Sequence, residues 1–189
     1  FEDLSKLGHK KFEYLLPSLV YNKNLISDLN FGSLDLKTNL EVKNYDVNKQ
    51  TEFFVNDLIW ESPTKINDFG FETQYLAKMK AVSYNADNTS KFKNENKNYE
   101  AYGALGLSAK LPMLKENEDK TFRDYFTPKF LLRYSPGHMR NIDDNYKLKY
   151  DDVFNIDRIN LIDTLESGLS ASLGFEYTKN KIVDNETKE

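Results

Sequence analysis

The feature that most restricts the fold of this chain is a strict alternation of apolar and polar side chains. From Leu34 to Lys43, one set of alternate positions is apolar except for Thr38, while the positions between them carry charged or amide side chains. A β-strand sends two such sets to opposite faces, whereas a helix would distribute the charges around its whole circumference. The pattern therefore predicts a β-strand with one apolar and one polar face.

The same alternation recurs along most of the chain. It predicts about seven strands, which are Phe12 to Tyr21, Leu34 to Lys43, Thr51 to Trp60, Phe69 to Ser83, Tyr99 to Met113, Tyr125 to Tyr134 and Leu165 to Tyr177. In the last of these, Leu165, Leu169 and Leu173 fall on the apolar face. No domain boundary is visible, and we expect residues 1–189 to form one all-β unit without a second domain.

The lengths of these segments indicate which kind of β-protein they form. Several have about 10 or more residues, as a tilted strand needs to cross a bilayer, whereas strands of globular proteins average about 5–6 residues. A membrane barrel also explains the alternation, because one strand face contacts lipid and the other faces a wet interior. We therefore expect a segment of a large antiparallel outer-membrane β-barrel, a middle part that does not close a complete barrel.

The composition agrees with a barrel and argues against other classes. The chain has 26 Lys and Arg against 30 Asp and Glu, so it has no basic surplus that would favour nucleic acid as a partner. No stretch approaches the roughly 18 apolar residues of a membrane-spanning helix. The 12 Tyr and 13 Phe suit strands and membrane interfaces better than helices.

The sequence offers little material for catalysis or for a cofactor. Its two histidines, His9 and His138, lie in predicted loops or ends, and it has neither a cysteine nor a glycine-rich phosphate-binding loop. The acidic pairs Asp143-Asp144 and Asp151-Asp152 lack the spacing of a calcium loop and fit a solvated loop better than a cation site. We expect no enzymatic activity, no cofactor and no metal.

Charged residues on the polar strand faces have two possible roles. Glu72, Lys78, Lys80 and Lys110 could line the polar lumen of a barrel and contact a charged or amphiphilic cargo. They could equally be ordinary residues of a water-facing strand. The sequence leaves both interpretations open.

Four short motifs in the last third of the chain resemble a known family. The motif positions are Pro128, Tyr134, Ser135 and Pro136, then Asn155 and Arg158, then Asp163, Glu166 and Gly168, and finally Gly174 and Tyr177. In this order and spacing they resemble the barrel domain of the lipopolysaccharide-assembly proteins called the LptD or OstA family. Each motif is weak alone, and the set is more specific than its parts.

The resemblance implies a function in the outer membrane of a Gram-negative bacterium. Proteins of that family insert lipopolysaccharide into the outer leaflet through a large barrel. The resemblance also implies partners: lipopolysaccharide itself, outer-membrane lipids, a plug lipoprotein (LptE-like) and a periplasmic bridge protein (LptA-like). Two alternatives remain open at this point, namely another outer-membrane porin or receptor barrel, and a soluble β-rich binding domain.

Overall fold

The computed structural model describes residues 14–45, 49–87, 98–119, 121–137, 148–183 and 186–188. The strands are β1 (Tyr14–Asp28), β2 (Gly32–Tyr45), β3 (Lys49–Glu61), β4 (Lys65–Ile66), β5 (Glu72–Asp87), β6 (Asn98–Lys110), β7 (Met113–Glu116), β8 (Phe122–Ser135), β9 (Gly168–Val183) and β10 (Glu186–Lys188). A short 3₁₀ turn covers Tyr150–Asp152. Within these ranges, no helix is long and apolar enough to cross a membrane.

All ten strands belong to one antiparallel sheet. Each long strand pairs with the next long strand in the order β1-β2-β3-β5-β6-β8-β9, while β4 pairs with β5, β7 with β8, and β10 with β9. Over the described residues the sheet is open, with β1 at one edge and β9 with β10 at the other. The predicted all-β antiparallel fold is confirmed, and each of the seven predicted strands corresponds to one of the seven long strands.

Two differences from the predicted strands have local causes in this part of the sheet. The strand predicted from Phe69 begins at Glu72, because Gly70 has a φ of +83° and the Asn67 side chain accepts hydrogen bonds from the following backbone. The strand predicted to end at Met113 is divided into β6 and β7. At the break lies Pro112, which has no backbone N–H, opposite a second proline in β8.

The alternation gives the sheet two chemically different faces. We call the side that carries Leu58, Trp60 and Leu173 the open face, because no described element packs against it. We call the other side the covered face, because residues 148–167 pack over it. In the sequence these residues lie between β8 and β9. Large apolar side chains with more than a third of their surface exposed include Phe54, Tyr75, Met79, Leu105, Phe126, Leu132, Tyr134, Leu169, Leu173, Phe175 and Tyr177, all on the open face.

The hydrophobic core lies on the covered face. It contains Phe53, Val55, Val82, Tyr84, Ala86, Tyr102 and Ala104 from the sheet, together with Leu165, and Ile156 and Ile162 pack against it. The prediction that placed Leu165 on the apolar open face is therefore wrong. Gly168 adopts a φ of +103°, which turns the chain, so that β9 begins only there and Leu165 is inserted into the core at 0% exposure.

We predict that Leu165→Ala lowers the free energy of unfolding by about 2–5 kcal/mol, because it leaves a cavity in a closely packed core. Leu169→Ala removes the same atoms from a side chain that is 73% exposed, and we expect a much smaller loss. Urea denaturation of the two variants and the wild type measures both values. Equal losses would contradict the assignment of Leu165 to the core.

Candidate functional site

The candidate site is the covered face together with residues 148–167, which we call the inward segment. This segment has almost no regular secondary structure, so many of its backbone carbonyls need partners from elsewhere. Side chains of the sheet supply them. Lys80 Nζ donates to the carbonyls of Leu161 and Ile162, and Ser172 Oγ donates to the carbonyl of Val153 at 2.9 Å.

Arg133 of β8 makes the most extensive of these contacts. Its Nε donates to the carbonyl of Ile156 at 2.6 Å, and its Nη2 donates to the carbonyl of Glu166. The guanidinium thus joins two parts of the inward segment that lie ten residues apart. Arg133 is 1% exposed, so these hydrogen bonds replace the water that the charge would otherwise bind.

At the centre of the site lies a buried cluster of four charged side chains. Lys78 Nζ is 2.6 Å from Asp157 Oδ2 and 3.2 Å from Asp57 Oδ2, and Lys80 Nζ lies 3.6 and 3.8 Å from the same two oxygens. All four side chains are at most 7% exposed. Two positive and two negative charges balance, and such a balance is what makes buried charges tolerable. The cluster joins β3, β5 and the inward segment.

A second ion pair joins two residues within the inward segment. Arg158 donates through Nε and Nη2 to the two carboxylate oxygens of Glu166, at 2.8 and 2.5 Å. This two-pronged geometry fixes the orientation of both side chains. Next to it, Asp157 Oδ1 accepts a hydrogen bond from the backbone of Asn160, whose φ of 47° marks a tight turn. The aspartate that binds the lysines is thereby held in position.

The structure brings several of the motif residues together in and around the inward segment. Arg158 and Glu166 form the ion pair, and Gly168 supplies the positive φ at the first residue of β9. Gly174 lies under the ring of Phe154, so close that a Cβ at this position would be 3.0 Å from Cζ.

The remaining motif residues are divided between the two faces. Asp163 is buried on the covered side, Asn155 Nδ2 donates to Asp152 Oδ1 at 3.2 Å, and Ser135 Oγ donates to the carbonyl of Gly103 at 2.7 Å. Tyr134 and Tyr177 are on the open face, Pro128 lies opposite the break between β6 and β7, and Pro136 follows the end of β8.

The four residues predicted to line a lumen share the covered face, in two different environments. Lys78 and Lys80 are buried under the inward segment. Glu72 and Lys110 form a pair at 3.0 Å that remains partly exposed. Next to that pair, a cavity of about 370 Å³ lies between sheet and segment, and its lining includes Lys110, Lys129, Tyr150, Asn155 and Glu176.

Sequence reasoning missed three residues that are central to this site, Asp57, Arg133 and Asp157. In the sequence each of them is a charged residue on a polar strand face or in a loop, and the pattern does not indicate which residue it would contact. Within the described ranges, no group of three or more potential ligands could hold a metal ion. His9, His138 and the pair Asp143-Asp144 lie outside the described residues.

Comparison of the sequence with protein-family models and with curated proteins finds no match. The family resemblance of the motif positions therefore depends on those residues alone.

We predict that Lys78→Met lowers the free energy of unfolding by about 3–5 kcal/mol, because it leaves Asp57 and Asp157 buried with a single cation. The matched control is Lys110→Met, which removes the same charge from an exposed pair and should cost about 0–1 kcal/mol. Urea denaturation of both variants gives the comparison. Similar losses would mean that the cluster is hydrated instead of buried.

Proposed function

We propose that this chain forms part of the wall of an outer-membrane β-barrel. The observation that carries the proposal is the apolar character of the sheet face that no described element covers. In a soluble protein an uncovered sheet face is polar and the covered face is apolar. Here the open face carries large apolar side chains, such as Leu173 at 83% exposure, while the covered face holds buried ion pairs beside its apolar core.

The length of the apolar band agrees with a bilayer. On β9 the open-face residues are apolar from Leu169 to Tyr177, and Lys179 follows as the next residue on that face. This run of nine residues falls within the roughly 9–11 that a tilted transmembrane strand uses. Aromatic side chains stand near both ends of the run on β8 and β9, with Tyr134 at one end and Phe126 and Tyr177 at the other, as in the aromatic girdles of membrane barrels.

The band also crosses the strands obliquely, as the wall of a membrane barrel requires. One cross-strand row of paired residues contains Leu34, Trp60, Ala77, Leu105, Tyr134 and Leu169. The apolar run of β2, from Val42 to Leu34, ends at this row, and the run of β9 begins there. The band therefore moves by about eight residues over about five strand steps. At ~3.4 Å per residue and ~4.8 Å per strand this is a tilt of roughly 50°, close to the ~45° of transmembrane strands.

Within this class, we propose that the complete protein delivers lipopolysaccharide to the outer leaflet. The support is the resemblance of the motifs from Phe126 to Tyr177 to the lipopolysaccharide-assembly barrels. A cargo with a polar sugar part and an apolar lipid part also fits a wall with one charged and one apolar face. The plug lipoprotein and the periplasmic bridge are partners expected on the same ground, and the proposed role is transport, without bond cleavage.

The membrane proposal is tested by labelling single cysteines in the full-length protein in its native membrane. Cysteines that replace Leu36 and Leu173 on the open face should react with a lipid-soluble maleimide and resist a charged one. Cysteines that replace Lys37 and Thr178 on the covered face should react with the charged reagent. If the charged reagent labels both sets equally, the soluble β-rich domain replaces the barrel as the better proposal.

The cargo proposal is tested by depleting the full-length protein from the bacterium that produces it. We expect newly made lipopolysaccharide to disappear from the cell surface and to accumulate inside, because its passage is blocked. Surface staining with a lipopolysaccharide-specific antibody, before and after permeabilisation, measures this. Unchanged surface lipopolysaccharide together with slower uptake of small solutes would instead favour a porin or receptor barrel.

A further inference from the structure

We propose that the inward segment is a constriction built into the barrel, which sets the size of solute that its interior admits, and that Asp157 holds it in place. This inference rests on the proposed barrel, because only a closed wall converts the covered face into an interior. A layer of chain packed on a sheet occupies roughly 10 Å. An interior lined by this segment is narrower by that amount than one lined by strands alone.

The segment is anchored along its length, as a permanent constriction would be. At one end the ring of Phe154 lies on Gly174 of β9, and at the other end Leu165 is inserted into the core at 0% exposure. Between these points Arg133 binds two of its carbonyls, and Lys80 binds two more. β5, β8 and β9 thus all hold it.

Asp157 is the residue at which this anchorage can be changed by a single substitution. Its Oδ2 lies within 3.6 Å of the ammonium groups of both Lys78 and Lys80, while Asp57 of β3 shares the same two cations. A positive charge at position 157 would face two lysines and one carboxylate at close range. Once the ion pairs with Asp157 are lost, water in the barrel interior can solvate Lys78 and Lys80. We therefore expect the segment to detach from the sheet while the hydrogen bonds between the strands persist.

The test compares single-channel conductance and the polymer size cut-off of the full-length protein in planar bilayers. We expect Asp157→Lys to raise the conductance at least about twofold and to admit larger polyethylene glycols, because a layer roughly 10 Å thick leaves the interior. The charge-exchanged variant, Lys78→Asp with Asp157→Lys, restores the pairing and should return both values toward wild type. The control Lys115→Asp alters an exposed charge of β7 that does not contact the segment and should leave the cut-off unchanged.

A second measurement separates detachment from misfolding. A cysteine that replaces Ile162, which packs against the core, should be labelled by a charged maleimide only in the Asp157→Lys background. The milder variant Asp157→Asn should give the same changes to a smaller extent. If both variants insert and neither changes conductance, cut-off or labelling, the proposal that Asp157 holds a constriction is overturned while the barrel stands. If the wild type itself does not insert into bilayers, the proposed barrel fails first, and the constriction fails with it.

Discussion

The covered face of the sheet carries three buried cations, Lys78, Lys80 and Arg133. The sheet alone does not provide enough carboxylates and hydrogen-bond acceptors for them. Asp57 alone cannot balance them, so the inward segment supplies Asp157 and a set of backbone carbonyls. The need is reciprocal, because an irregular segment has carbonyls that must also be satisfied. This mutual requirement fixes where residues 148–167 lie, and with them the position of the core.

The fold could be predicted from the sequence as far as it depends on local alternation. Seven long strands and their two faces follow from a period of two, which needs no knowledge of distant residues. The strands β4, β7 and β10 have two to four residues, too few for an alternation to be seen. Leu165 was misassigned because the alternation continues in phase across Gly168, and only the backbone conformation there shows that the strand has not yet begun.

The site was less predictable than the fold, since it is made by contacts between distant parts of the chain. The charges of Lys78 and Lys80 could be placed on a polar face, but nothing in the sequence named Asp157 as their partner. The structure explains three of the motif residues physically. Arg158 and Glu166 form an ion pair within the inward segment, and Gly174 leaves room for the Phe154 ring of that segment. Their described contacts shape the inward segment and hold it on the sheet.

The separation of Lys78 and Asp157 in sequence has a consequence for the order of assembly. The two residues are 79 positions apart, whereas most strand pairs in this sheet join neighbours along the chain. Contacts between neighbours close short loops and form early, while a contact across 79 residues must await the alignment of everything between. Of the contacts that hold the inward segment, those with Lys78 and Lys80 therefore close the longest loops, whereas those with Arg133 and Ser172 span only 23 and 19 residues. Until those two contacts form, the lysines remain hydrated, so the unfinished sheet is wet on one side and apolar on the other.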